Sequence, residues 1–257
     1  MSRTAKKIFY GVFYLALLGL IAYGFARPAI VTPPSCTDGV QNQLEQGIDC
    51  GGPCSVTCDV AKLVPLSVTG TVSVFGLSSG KAVLLAQVSN ANEGYKATQF
   101  FYRFLVHDST GKLIETVSGS DSISALERKY VFESGVSSVF QKIGKVTMEV
   151  YDVLWKKAYM ALAPQVAVIS GPTTTIGSDK ITVSGSLKNQ GSVEASDVAV
   201  VAVLYDKYGI EVFASQWIVS SLPASSSESF TVIFPNDPQI KNQIDPSQTK
   251  LFISPRA

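Results

Sequence analysis

Two stretches decide how this chain folds: residues 86–115, AQVSNANEGYKATQFFYRFLVHDSTGKLIE, and residues 185–213, GSLKNQGSVEASDVAVVAVLYDKYGIEVF. With one residue dropped from the first loop they align at an offset of 98, matching Ala97 with Ala195, Asp108 with Asp206 and Gly111 with Gly209. Each contains an apolar run of strand length, FFYRFLV at 100–106 and VAVVAVLY at 198–205. In each the run is followed by Asp-x-x-Gly, in which the Asp side chain braces its own backbone and the Gly takes a positive φ. A second strand then follows. Similarity at a period near 100 residues indicates one β-unit used twice.

The flanking sequence keeps the same periodicity. Leu66, Val68, Val72 and Val74 alternate with Ser67, Thr69, Thr71 and Ser73, and Ile181, Val183, Gly185 and Leu187 with Thr182, Ser184, Ser186 and Lys188. A period of two marks half-buried strands. After residue 60 no stretch sustains a 3.6-residue stripe, and residues 135–144 admit a short helical turn. The pattern predicts an all-β fold of two tandem immunoglobulin-like sandwiches of about seven strands each, at 62–163 and 164–257, joined near Ala163-Pro164.

The second copy carries a named likeness. Asn189-Gln190-Gly191, Glu194-Ala195-Ser196-Asp197-Val198, Leu204-Tyr205-Asp206 and Gly209 resemble the FxLYD-type domain, an immunoglobulin- or fibronectin-III-like sandwich of bacterial and archaeal envelope proteins. Copy two has Ala202 where the motif has Phe; copy one keeps Phe104 but has Val106 and His107 for Leu and Tyr. The resemblance implies a fold, because that family has no established catalytic role.

Ahead of the β-units the chain changes character twice. Residues 1–27 carry Arg3, Lys6, Lys7 and Arg27 without an acid, and residues 8–26 (IFYGVFYLALLGLIAYGFA) have no formal charge. At 1.5 Å per residue those nineteen residues span about 28 Å, close to the hydrocarbon thickness of a bilayer. Tyr10 and Tyr23 sit near its ends, at headgroup depth. A cleavable signal is the competing reading, with Gly24-Phe25-Ala26 as the cleavage site. Its apolar region is ordinarily shorter, and Arg27-Pro28 is a poor place to cut. Three basic residues precede the span and the next after Arg27 is Lys62, so the N-terminus is expected in the cytoplasm and the remainder outside it.

All four cysteines fall in residues 28–61: Cys36, Cys50, Cys54 and Cys58. An even count clustered in an exported stretch too small for its own core reads as two disulfides. Of three pairings, two need a bridge across three intervening residues; Cys36–Cys54 with Cys50–Cys58 avoids both and is favoured. A zinc site is disfavoured because Cys36 has no near neighbour to complete a ligand pair. Asp38, Asn42, Glu45 and Asp49 offer hard oxygens that suit calcium, against the alternative that they cap turns. The segment resembles a CxDGxxNxxExxxDCGGxC motif that recurs in bacterial exported and surface proteins, matched at Cys36, Asp38, Gly39, Asn42, Glu45, Asp49, Cys50, Gly51, Gly52 and Cys54. It brings no assigned activity with it.

Catalytic chemistry is sparse. His107 is the one histidine, and the alignment puts Tyr205 at its position, which favours a structural role over a dyad with Asp108. No GxSxG, HExxH or phosphate-cradling glycine loop occurs. The 21 basic and 20 acidic residues give none of the excess of a nucleic-acid binder. That balance sums unlike parts: +4 at the anchor, −4 in the cysteine segment, +3 on the first sandwich and −2 on the second. Basic clusters at Arg128-Lys129, Lys142/Lys145 and Lys156-Lys157 suit an anionic polymer or read as solvated surface, and Trp155 and Trp217 as core.

These observations predict a non-enzymatic, single-pass protein of the bacterial cell envelope. It would be held in the bilayer through residues 8–26 and present its sandwiches to an envelope protein or cell-wall polymer. The alternatives are an exported carbohydrate-active or hydrolytic protein with paired carboxylates on a sheet face, and an accessory subunit of a secretion or pilus-like complex.

Overall fold

A computed structural model of the chain describes residues 3–30, 36–42, 44–158 and 164–256, excepting the side chains of 24–30. It divides into two compact units, Met1–Leu63 and Val64–Ala257. The first opens with helix α1 (Arg3–Ile30). Nothing in the sequence up to Ala26 interrupts it, and its hydrogen bonds are satisfied within the segment, which an apolar solvent requires. Its side chains face outward all round: Phe9, Phe13, Leu15, Leu18 and Leu20 are each more than half exposed. The expected cleavage site, Gly24-Phe25-Ala26, falls within α1. A cysteine-rich segment follows, closed by Cys36–Cys54 and Cys50–Cys58.

The second unit is built from twelve antiparallel strands. The first sandwich comprises β1 (Ser67–Gly76), β2 (Ala82–Ser89), β3 (Tyr95–His107), β4 (Leu113–Ile123), β5 (Arg128–Val136) and β6 (Lys145–Lys157). The second comprises β7 (Val166–Ile176), β8 (Lys180–Asn189), β9 (Ala195–Tyr205), β10 (Glu211–Leu222), β11 (Ser227–Pro235) and β12 (Lys250–Ser254). Sheets β1-β2-β5 and β4-β3-β6 face each other in the first, and β7-β8-β11 and β10-β9-β12 take the same order in the second. Each sandwich thus has six strands among the described residues, where sequence predicts about seven. The helical turn expected within 135–144 is a 3-10 turn at Phe140–Lys142. Of the expected junction, Ala163 lies outside the described residues.

Matched positions do matched work. Asp108 Oδ1 accepts from the N–H groups of Thr110 (2.9 Å) and Lys112 (3.0 Å), and Asp206 Oδ1 from those of Tyr208 (2.8 Å) and Ile210 (2.9 Å). Gly111 and Gly209 close the two turns at φ 85° and 79°, where a Cβ would be strained. A buried asparagine pins each loop one strand earlier. Asn90 Nδ2 donates to the Tyr95 and Ser124 carbonyls, both at 2.8 Å; Asn189 Nδ2 donates to those of Val193 (2.7 Å) and Leu222 (3.0 Å).

The cores follow from the pleat, with one consequence absent from the sequence reading. In the first sandwich Leu84, Ala86, Val88, Phe100, Phe104 and Ile123 fill the space between its sheets. The opposite faces of β1 and β2 contribute Phe75, Val83 and Leu85 to the same buried cluster as the second sandwich's residues. Antiparallel partners share a face, so Phe252 lies beside its partner Val201, and the Phe252 ring meets Tyr130 of β5 at 4.5 Å between centroids. The outer face of β10-β9-β12 therefore packs on that of β1-β2-β5. The layers run β4-β3-β6, β1-β2-β5, β10-β9-β12, β7-β8-β11. Polar contacts fix the junction: Ser73 Oγ donates to Glu211 (2.6 Å), the Ser78 N–H and hydroxyl donate to Asp237, and Ser254 donates to Glu127. The two sandwiches are fused through an apolar face.

Candidate functional site

In the cysteine segment the four oxygen-bearing residues come together around the backbone. Asp49 accepts from the N–H groups of Asp38 (3.0 Å) and Gly39 (2.9 Å), and Glu45 Oε2 from those of Asn42 (3.1 Å) and Asp49 (3.3 Å). Asp38 Oδ1 accepts from the Val40 N–H at 2.9 Å, and Oδ2 from Asn42 Nδ2 at 3.0 Å. The carboxylates brace turns, and Glu45 is buried under them. Glu45 also gathers with Cys36 and Cys54 within 4.8 Å, but those two sulfurs are bonded to each other and neither is a thiolate. The hydrogen bonds among Asp38, Asn42, Glu45 and Asp49 are those of the turn-capping alternative weighed against calcium.

His107 ends β3, and its Nδ1 is buried without a hydrogen-bond partner among the described residues. Asp108 does not serve it. The Asp108 carboxylate is taken up by its own turn, where the hydroxyl of Thr110 and then the backbone N–H groups hold its pKa below the usual carboxylate range. The pair is the end of a strand and the start of a turn.

A polar cleft of about 380 Å³ lies at the junction of the sandwiches, lined among others by Thr98, Tyr130, Asp121, Lys129, Asp197 and Arg256. Lys129, which its neighbour Arg128 makes look like part of a surface cluster, is buried there. Its Nζ donates to Asp121 Oδ1 at 2.8 Å and to the Ser122 carbonyl at 2.9 Å. Arg256 holds Asp197 at 3.0 Å in a pair that is half exposed. Beside the cleft, Tyr102 lies across Gly119, where a Cβ would meet its hydroxyl oxygen at 2.4 Å, and donates to Glu133 at 2.7 Å. Burial, then that carboxylate, push the Tyr102 pKa far up. Both carboxylates lining the cleft, Asp121 and Asp197, are thus held by cations.

Two surfaces of the first sandwich remain open. On the outer face of β4-β3-β6, Phe101 and Tyr151 stack at 6.0 Å, and Arg103 lies 5.7 Å from the Tyr151 ring while bonding Glu149 at 2.7 Å. Along the other margin, an apolar groove of about 480 Å³ runs between β1 and β6. Trp155 is half-buried against the first core, whereas Trp217 is 45% exposed, unlike the core residue expected.

No protein-family model matches the chain, and no curated protein sequence does. Several solved structures are remotely similar. The exo-chitosanase CsxA of Amycolatopsis orientalis is 12% identical over 72% of this chain and 26% of its own, at a TM-score of 0.25. A red sea bream transglutaminase is 13% identical over 69% and 28%, at 0.19. A β-glucuronidase from glycoside hydrolase family 2 is 13% identical over 87% and 28%, at 0.22. The chain thus spans little more than a quarter of these proteins.

Proposed function

We propose that this chain is a single-pass, membrane-anchored protein of the bacterial cell envelope whose two fused sandwiches act outside the cytoplasm as a non-catalytic binding or scaffolding module. The observation that carries the reading is the outward-facing apolar side chains around α1. A span from Ile8 to Tyr23 that is apolar on every side and not buried among the described residues matches a bilayer. Two disulfides directly after it fit an oxidising compartment, and Arg3, Lys6 and Lys7 in its first turns, ahead of the uncharged span, orient the N-terminus inward.

The FxLYD-type likeness belongs to the same reading. Asn189, Asp206 and Gly209, which carry it, are the residues that pin and close the loops of the second sandwich. The cation-held carboxylates of the junction cleft support a binding role over acid–base hydrolysis, which needs one free acid and one free base. The reading is tested by fractionating cells that express the full chain and exposing spheroplasts to protease. The expected result is a membrane-bound protein whose residues 64–257 are degraded from outside; recovery of full-length protein in the soluble cytoplasmic fraction would sink it.

A further inference from the structure

We propose that the free edge of β6 is a strand-addition site, which takes an extended peptide of alternating apolar residues with acidic residues at one end. This inference rests on the binding-module reading and names where that binding occurs. On one side, β6 is paired with β3 from Lys145↔His107 to Lys157↔Tyr95. On the other side no strand pairs with it among the described residues. A row of backbone N–H and C=O groups is therefore available to an incoming chain.

The core beneath that edge is also incomplete. Val68, Val72 and Val74 of β1, Phe140 and Ile143 of the preceding connection, and Met148 of β6 line the apolar groove, and all but Met148 are only half-buried. A strand paired to β6 would turn every second side chain into it, the mode in which backbone bonds give affinity and pockets give specificity. At the corresponding margin of the second sandwich the hydroxyls of Thr174 of β7 and of Thr249, just ahead of β12, meet at 2.6 Å.

The edge has defined ends and a sign. Asp152 takes a positive φ of 47° and the register breaks beside it, so the straight edge is residues 145–151, about 23 Å long at ~3.3 Å per residue. Its interior, VTMEVY at 146–151, lacks the proline and lysine that usually block an edge. Its one charge, Glu149, is held by Arg103. At the groove end, Lys142 and Lys145 are exposed and form no ion pair in the described structure. Asp108 lies across the turn at Gly144, but its carboxylate is committed to its own backbone. These two lysines, without a direct ion-pair partner among the described residues, select a peptide that brings carboxylates to them.

The test uses the purified full chain in detergent micelles and three amidated synthetic peptides, VTVSVTVED, VTVSVTVKK and VTVPVTVED, whose charged C-terminal ends lie beside Lys145 when the added strand runs antiparallel to β6, with hydrogen exchange of the β6 amides as readout. The acidic peptide should slow exchange at the edge-facing amides within 145–151 by about ten-fold or more, and the proline-interrupted one should not. The exposed double variant Lys142→Glu with Lys145→Glu should weaken the acidic peptide about ten-fold at low salt and strengthen the lysine peptide correspondingly. No protection, or equal protection by all three peptides, overturns the proposal. So does protection that appears without peptide and rises with protein concentration, which would make a second copy the occupant. Topology does not enter this assay, so failure here and failure of the membrane reading are separate results.

Discussion

Replacing Phe75 by Ala should destabilise both sandwiches together. Phe75 belongs to β1, yet its ring meets Phe213 of β10 at 5.7 Å, and Phe213 in turn meets Phe234 of β11 at 6.4 Å. It is 6% exposed and shares one buried cluster with the second sandwich. Phe→Ala changes in cores cost about 3–5 kcal/mol. Phe75 borders an open groove with Ile210 and Ile240, where water and side chains can partly refill the space, so about 3 kcal/mol is expected. With a urea m-value of about 2 kcal/mol/M, the midpoint should fall by about 1.5 M. The molecule provides one reporter in each sandwich, Trp155 in β6 and Trp217 in β10. Trp217→Phe and Trp155→Phe backgrounds isolate them for fluorescence-monitored unfolding. The two transitions should coincide without the Phe75 change and move down by the same amount with it. A shift seen by Trp155 alone, with Trp217 unmoved, would refute the fused core.

Three further outcomes follow from the polar contacts. Asp121→Ala, which leaves the buried Lys129 ammonium with the Ser122 carbonyl alone, should cost about 2–3 kcal/mol in chemical denaturation, discounted because Asp121 is a third exposed. Lys129→Met, which removes the charge and keeps the volume, should cost about 1 kcal/mol or less, and the reverse order would contradict the assignment. Asp237 bridges the sandwiches, and hydrogen bonds from the Ser78 hydroxyl and then from backbone N–H groups hold its pKa below its ordinary 3.8. Its contribution is complete above that value and lost as pH falls through the lower folded pKa. The loss of stability on acidification below about pH 4 should therefore be shallower in Asp237→Asn than in the parent, measured by urea midpoints across pH. Asn90→Ala strips two carbonyls, one backbone N–H and the Asn92 side-chain amide of their partner, and Asn189→Ala strips two carbonyls and one N–H; each should cost about 3 kcal/mol by the same titrations, Asn90→Ala no less than Asn189→Ala.

What the sequence disclosed and what it withheld divide along the range of the interaction. The turns at Asp108 and Asp206 are visible because the whole device lies within five consecutive residues, the Asp, two intervening residues, the Gly and the residue after it. The cysteine pairing is visible because short spacings restrict it. Lys129 misleads for a local reason: in a strand, neighbours point to opposite faces, so Arg128 is exposed while Lys129 is buried. The face joining the sandwiches is harder to read, because an apolar residue does not say what covers it. A trace of it does exist in the alignment. Phe101, Arg103 and Leu105 of β3 correspond to Ala199, Val201 and Val203 of β9. The arginine marks the copy whose outer face meets solvent, and the valine marks the copy whose outer face meets another sheet.

The fusion also restricts where a binding module of this build can bind. The outer faces of β1-β2-β5 and β10-β9-β12 are consumed by each other. The faces left to partners belong to β4-β3-β6 and β7-β8-β11, together with the sheet edges. On β7-β8-β11 the exposed apolar residues, among them Ile169 and Ile233, are joined by no stacked aromatic pair or ion pair among the described residues. On β4-β3-β6 the stacked Phe101 and Tyr151, with Arg103 over them, adjoin the strand whose edge lies over the unfilled groove. Strand β6 takes part in both surfaces, through Tyr151 on its face and its backbone at the edge. If the proposed strand addition holds, the added strand would extend the sheet that displays the aromatic pair, so that β4-β3-β6 would be the binding sheet and the second sandwich its support.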